Sequence, residues 1–140
     1  MRDFRKIVAW QKADDLTVEI YRLTKQFPRE EVYSLTNQIR RAAYSVPSNI
    51  AEGASRKSQK DYLQFLYIAR GSLSEVAYFV HLSKRLGYLV LADHETLASQ
   101  ADETSRVLTG LIKSVGKEVG LLRKTIAKAA STFIILVSSL

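Results

Sequence analysis

Cysteine is absent from this 140-residue sequence. That excludes disulfide scaffolds, thiolate metal sites and cysteine nucleophiles, and it accords with a reducing, cytoplasmic setting. Only two prolines and six scattered glycines occur, too few turn-forming residues for an all-β chain. The glycines never form GxGxxG or a phosphate loop. Histidine is limited to His81 and His94, far apart and outside any HExxH or Glu-x-x-His pattern, so neither a zinc site nor a di-iron bundle is expected. Gly71-Ser72-Leu73-Ser74 follows no strand and is not a nucleophile elbow. The adjacent carboxylates Asp14-Asp15 and Glu30-Glu31 read as solvated helix faces. No apolar stretch approaches the ~20 residues of a membrane span. After the basic start, Gln11, Lys12, Asp14 and Asp15 interrupt any signal-peptide core. The expectation is a non-enzyme without metal or cofactor.

What is present is helical periodicity. Hydrophobic residues make up 46% and charged residues 25%, a globular balance. Trp10, Ala13, Leu16, Ile20, Leu23 and Phe27 step by three or four, as do Val32, Leu35, Ile39, Ala42, Val46 and Ile50. Tyr62, Leu66, Ala69, Leu73, Val76 and Val80 keep a strict 4-3-4-3-4 step, and Leu97, Ala101, Thr104, Leu108, Leu111 and Val115 follow a similar one. Such stripes pack as knobs into holes. Pro28 separates the first two segments, and Glu30 and Glu31 suit a helical first turn. Gly53 is expected just past the second helix and Gly87 just past the third. Ser58 and Asp61 form a cap for the third helix, and Asp93 caps the fourth. Pro47 should kink the second helix without ending it. Gly71 inside the third predicts close approach by a neighbouring helix. Short loops make successive helices antiparallel, so the fold expected is all-α, an up-down-up-down four-helix bundle over residues 1–116. A basic and then apolar tail, helical or disordered, follows at 117–140. It holds Lys117, Arg123, Lys124, Lys128 and an apolar run at 129–137, suited to docking or, less well, to a membrane surface. A second apolar stripe on the third helix (Leu63, Phe65, Ile68, Phe79, Leu82) points to self-association or to a wide core face.

The net charge of +7 favours polyanionic partners. Six basic residues (Arg40, Arg41, Arg56, Lys57, Lys60, Arg70) and two acids (Glu52, Asp61) occupy residues 40–70. Arg40, Arg41, Arg56, Lys57 and Lys60 are the candidate phosphate contacts. Tyr44, Tyr62 and Tyr67 are candidate stacking platforms or core residues. Gln38, Arg41, Ser45, Asn49 and Glu52 lie along one helical stripe, either a binding face or a mutually satisfied polar network.

The stretches Val8-Ala9-Trp10-Gln11-Lys12-Ala13, Gln38-Ile39-Arg40-Arg41-Ala42-Ala43 and Val46-Pro47-Ser48-Asn49-Ile50-Ala51-Glu52-Gly53 carry a resemblance, as does the run from Tyr62 to Glu75 with its Gly71-Ser72-Leu73-Ser74-Glu75 end. Over about residues 4–115 the chain resembles the four-helix-bundle proteins encoded in intervening sequences of bacterial 23S ribosomal RNA genes. Their relatives include the accessory variability determinant proteins of diversity-generating retroelements. The resemblance implies a homopentamer and, through those relatives, RNA or DNA backbone binding and association with a reverse transcriptase. Two functions follow as expectations: a non-catalytic nucleic-acid-binding accessory protein, or an interaction scaffold for a nucleic-acid enzyme.

Overall fold

The computed structural model describes residues 1–138, with side chains to Ser131. The described residues form four α-helices: α1 (Val8–Leu23), α2 (Leu35–Ser55), α3 (Gln59–Arg85) and α4 (Leu91–Ser138). Short 3-10 turns lie at Phe4–Lys6, Thr24–Gln26 and Arg29–Glu31. No described helix is long and apolar enough to cross a membrane.

Side-chain register fixes the directions. Thr17 of α1 meets Ala43 of α2, while Thr24, later in the chain, meets the earlier Arg40. Ser45 meets Ser72, and Gly53 lies against Tyr62 and Phe65, so α3 runs back along α2. Gln59 reaches Glu118, and Leu73 and Ala77 share a crevice with Ala101 and Asp102. Lys12 pairs with Glu103 at 2.9 Å, while Arg22 feels Asp93, so α4 closes the ring antiparallel to α1. The core follows the predicted stripes: Leu16, Ile20, Ile39, Ile50, Leu66, Val76, Leu97 and Leu108 are almost wholly buried, while Trp10 and Leu111 are only partly buried and Ile112 takes the core place expected of Leu111. Burial of such side chains at about 1.5–3 kcal/mol each is the main force holding the ring together.

Several local expectations are corrected. Val32 is exposed, because residues 29–31 form a 3-10 turn that continues as a hydrogen-bonded turn over 32–34, and α2 starts only at Leu35. Glu31 therefore serves α2 from outside it, accepting from the Leu35 N–H at 3.1 Å. It also accepts from the Tyr88 hydroxyl at 2.9 Å. The Leu35 N–H, then the Tyr88 hydroxyl, hold the Glu31 carboxyl below its ordinary value. The depressed value means that this stabilisation is complete above the ordinary carboxylate pKa and is lost as pH falls through the lower, folded one. Glu31→Gln should thus flatten the acid limb of a pH–stability profile measured by urea denaturation. An identical acid limb would show that the two hydrogen bonds do not distinguish the protonation states.

Gly87 does terminate α3, with φ +76°. Its N–H donates to the Lys84 carbonyl and that of Tyr88 to Ser83, a left-handed cap that glycine adopts without strain. Ser58 caps α3 as expected, accepting from the Asp61 N–H at 3.0 Å. Asp93 lies instead inside the first turn of α4, where it complements the helix dipole. Gly53 is inside α2 rather than beyond it, and it is the glycine another helix approaches; Gly71 faces open space.

Pro47 lies inside α2, which runs unbroken from Leu35 to Ser55. Proline has no N–H, so the buried Ala43 carbonyl loses its helical donor. The Thr17 hydroxyl of α1 reaches into this gap, its one proton shared between two carbonyl oxygens. It sits 3.0 Å from the Ala43 carbonyl oxygen and 2.8 Å from its own Ala13 carbonyl oxygen. A proline that would leave an orphaned acceptor is thereby turned into an interhelical link. Thr17→Val should cost about 1 kcal/mol, with Thr17→Ser near wild type, in chemical denaturation. An unchanged midpoint for the valine variant would mean that Ala43 finds another donor.

Among the described side chains of α4, Val115 is the last that is buried. From Lys117 onward the helix carries on, and Leu121, Leu122 and Ile126 are exposed. Most of the apolar run at 129–137 lies outside the residues whose side chains are described.

Candidate nucleic-acid interface

The basic residues singled out in the sequence divide among three places. Arg56, Lys57 and Lys60 surround the turn between α2 and α3. Arg40 and Arg41 lie near the start of α2, about 24 Å away along the helix at 1.5 Å per residue. Adjacent positions on a helix point about 100° apart, and the two arginines diverge accordingly. Arg40 turns towards α1, where its Nε donates to the Thr24 hydroxyl at 2.9 Å and its guanidinium lies 4.8 Å from the Tyr21 ring centre. Arg41 lines a groove with Ser72 and Glu75 of α3.

The α2–α3 turn is the most concentrated positive feature. Arg56 is the C-cap of α2 in extended backbone, its N–H donating to the Gly53 carbonyl at 3.1 Å. Its guanidinium donates to Glu52 at 2.6 Å and stacks on Phe65, 4.8 Å from the ring centre. These contacts hold a long cation in place beside the turn. Lys57 and Lys60 are exposed and make no ion pair among the described residues. Arg2, absent from the sequence-based set, joins them. It donates to the Arg56 carbonyl at 3.3 Å and to Gln59 Oε1, and its guanidinium lies 4.5 Å from the Tyr62 ring centre. In the sequence Arg2 stands between Met1 and Asp3, with no periodic signal to tie it to residue 56.

Met1, Arg2, Ser55, Arg56 and Lys57 line an open groove of about 640 Å³ without a carboxylate in its wall. Nearby, Gln59 donates to Glu118, joining the turn to α4. Burial pushes the Tyr62 phenol up, with Glu118 adding to that and Arg2 opposing it. At 2% exposure Tyr62 is core and offers no face to a base. Tyr44 and Tyr67 are exposed; Arg70 covers the Tyr67 ring at 4.9 Å from its centre.

The polar stripe of α2 is partly joined. The Ser45 and Ser72 hydroxyls are 2.9 Å apart across the α2–α3 seam. Asn49 Nδ2 donates to the Ser45 carbonyl at 2.8 Å and to its hydroxyl at 3.0 Å. Glu52 takes no part, because Arg56 one turn away captures it and Arg41 is about 16 Å off along the helix. Gln38, Arg41, Tyr44 and Glu75 instead line a shallow groove of about 330 Å³ with the two serines. His81 is exposed and His94 is partly buried. No group of three or more metal-ligating side chains occurs among the described residues.

Comparison with known proteins places these features in context. Residues 5–110 match the family model described as 23S rRNA-intervening sequence protein. A crystal structure of a protein of unknown function from the S23 ribosomal protein family of Bacteroides thetaiotaomicron superposes with a TM-score of 0.70 at 27% identity, over 76% of this chain and 99% of that one. No curated protein matches the sequence significantly.

Proposed function

The chain belongs to the 23S rRNA-intervening sequence protein family, and we propose that it is a non-catalytic, cytoplasmic accessory protein that binds RNA or DNA through the phosphate backbone as a homo-oligomer. The carrying observation is the α2–α3 turn: Arg2, Arg56 and Lys57 line one open groove with no acidic wall, and Lys60 stands beside it. Long cations held by stacking on Phe65 and Tyr62 present charge without offering base-edge readout. Such a surface binds phosphates with little sequence preference and loses affinity steeply with salt. The family name, with its reference to ribosomal RNA, and the net charge of +7 both favour a nucleic-acid partner.

The testing experiment is a salt series of binding to labelled single-stranded RNA and duplex DNA, using protein whose oligomer mass has been measured by light scattering. A linear fall of log affinity with log salt, from an oligomer, is the expected result. Absence of binding at low salt refutes the reading.

A second reading, a scaffold for a protein partner such as a reverse transcriptase, draws on Tyr67 and Tyr78. They are exposed and three helical turns apart on the same side of α3. Co-purification with a polymerase at fixed stoichiometry after nuclease treatment would favour it.

A further inference from the structure

Away from the α2–α3 turn, a second basic concavity occupies the junction where α1 gives way to α2. Its volume is about 340 Å³, within the range of small-ligand sites. Lys25, Arg29 and Arg40 line it, with Tyr21, Tyr44 and Thr36. No carboxylate contributes to its wall.

The cations differ in their freedom. Lys25 and Arg29 are exposed and form no ion pair among the described residues. Arg40 is half-buried and held in position: its Nε is committed to the Thr24 hydroxyl, and its plane rests over Tyr21. That leaves its terminal nitrogens as a pre-oriented fork of the kind that suits phosphate oxygens.

Two further features belong to the wall of this pocket. Thr36 is only 5% exposed, and its hydroxyl has no hydrogen-bond partner. A buried hydroxyl without a partner is costly, and it is enclosed in the unliganded fold, so a ligand oxygen in the pocket relieves it only when the Thr36 side chain turns towards the pocket. Thr36 also lies in the first turn of α2, a 21-residue helix whose N-cap Ser34 makes no side-chain cap. The first-turn N–H groups of a helix lack intrahelical acceptors and carry its positive dipole end; one of them, the Leu35 N–H, is already taken by the Glu31 carboxylate.

We propose that this pocket binds a nucleoside phosphate. The phosphate would meet Arg40, Lys25, Arg29 and the start of α2, and the base would lie against the exposed ring of Tyr44. The ligand is either a free nucleotide or one unit of a nucleic-acid chain, and only the latter source rests on the nucleic-acid reading above.

The test is NMR titration of the full chain with inorganic phosphate, AMP and a short oligoribonucleotide, following the amides of Thr24, Thr36 and Arg40. AMP should shift these resonances with a Kd of about 1 mM or tighter. Lys25→Glu with Arg29→Glu should weaken it by at least about 10-fold. Thr36→Val should also weaken it, with no loss of stability in the unliganded protein because the substitution removes an orphaned hydroxyl. Charge reversal at Arg56, Lys57 and Lys60 should leave AMP binding unchanged.

If the oligonucleotide also loses affinity in the Lys25/Arg29 variant, the chain is the source; if only AMP does, a free nucleotide is. Saturating shifts with inorganic phosphate that AMP does not improve would overturn the nucleoside assignment. An oligonucleotide that binds while AMP leaves these amides unmoved would overturn the pocket but spare the proposed function. AMP binding without oligonucleotide binding would do the reverse.

Discussion

Charge reversal at Arg56, Lys57 and Lys60 together is expected to weaken binding by about 100-fold for single-stranded RNA and about 500-fold for duplex DNA at about 0.1 M salt. The estimate follows from counterion release: at that salt each neutralised phosphate contributes about 0.7 decade of affinity on a single strand and about 0.9 on a duplex. The salt slope should fall by between 2 and 3, as about three contacts are lost. Structural damage would be small. Lys57 and Lys60 have no ion pair to lose, and the Arg56–Glu52 pair is about half exposed on both sides, where such pairs contribute at most about 1 kcal/mol. Circular dichroism should therefore show wild-type helicity. Wild-type affinity and slope in the triple variant would remove the α2–α3 turn from the binding surface and shift attention to the α1–α2 junction.

The stripes of α1, α3 and α4 were legible because a core side chain every three or four residues leaves a signal in one dimension. Tyr62, Leu66, Ala69, Leu73, Val76 and Val80 are all buried, as their spacing predicted. The signal misled at Val32, where the spacing persists although the backbone has left the helix: periodicity records side-chain chemistry and cannot register a turn. It was also silent about partners from other helices. Pro47 was seen as a kink, but the Thr17 hydroxyl that makes it tolerable lies in α1. Arg56, Lys57 and Lys60 fall together because they share one turn. Their companion Arg2 could not be paired with them from sequence, since its link to the Arg56 carbonyl spans the length of α1 and α2. Arg40 and Arg41, neighbours in the chain, were grouped for that reason alone, and the helix rotates them onto different seams.

Gly53 and Gly71 supply the sharpest test of the packing, since the sequence suggested the opposite roles for them. Both are interior helical glycines, and alanine is favoured over glycine there by about 0.5–1 kcal/mol. At Gly71 an added Cβ meets nothing within 4 Å, so Gly71→Ala should stabilise the protein by about that amount. At Gly53 the added Cβ would lie 2.8 Å from Phe65 Cβ, 3.0 Å from Tyr62 Cδ2 and 3.3 Å from the Tyr62 carbonyl oxygen. Phe65 Cβ is fixed to the α3 backbone and cannot swing aside as a side-chain end would. Relief requires α3 to move away from α2, opening the seam that Ile50, Ala54, Tyr62 and Leu66 fill. Overpacking of this kind costs about 1–3 kcal/mol, which outweighs the helical gain. Gly53→Ala should therefore be destabilising by about 1–2 kcal/mol, and Gly53→Leu by considerably more. The displacement would also disturb the site, because Arg56 stacks on Phe65 and Arg2 on Tyr62, the residues struck. Paired urea denaturations of Gly53→Ala and Gly71→Ala measure the opposite signs directly. A stabilising alanine at both positions would mean that α2 and α3 leave room for a Cβ at Gly53.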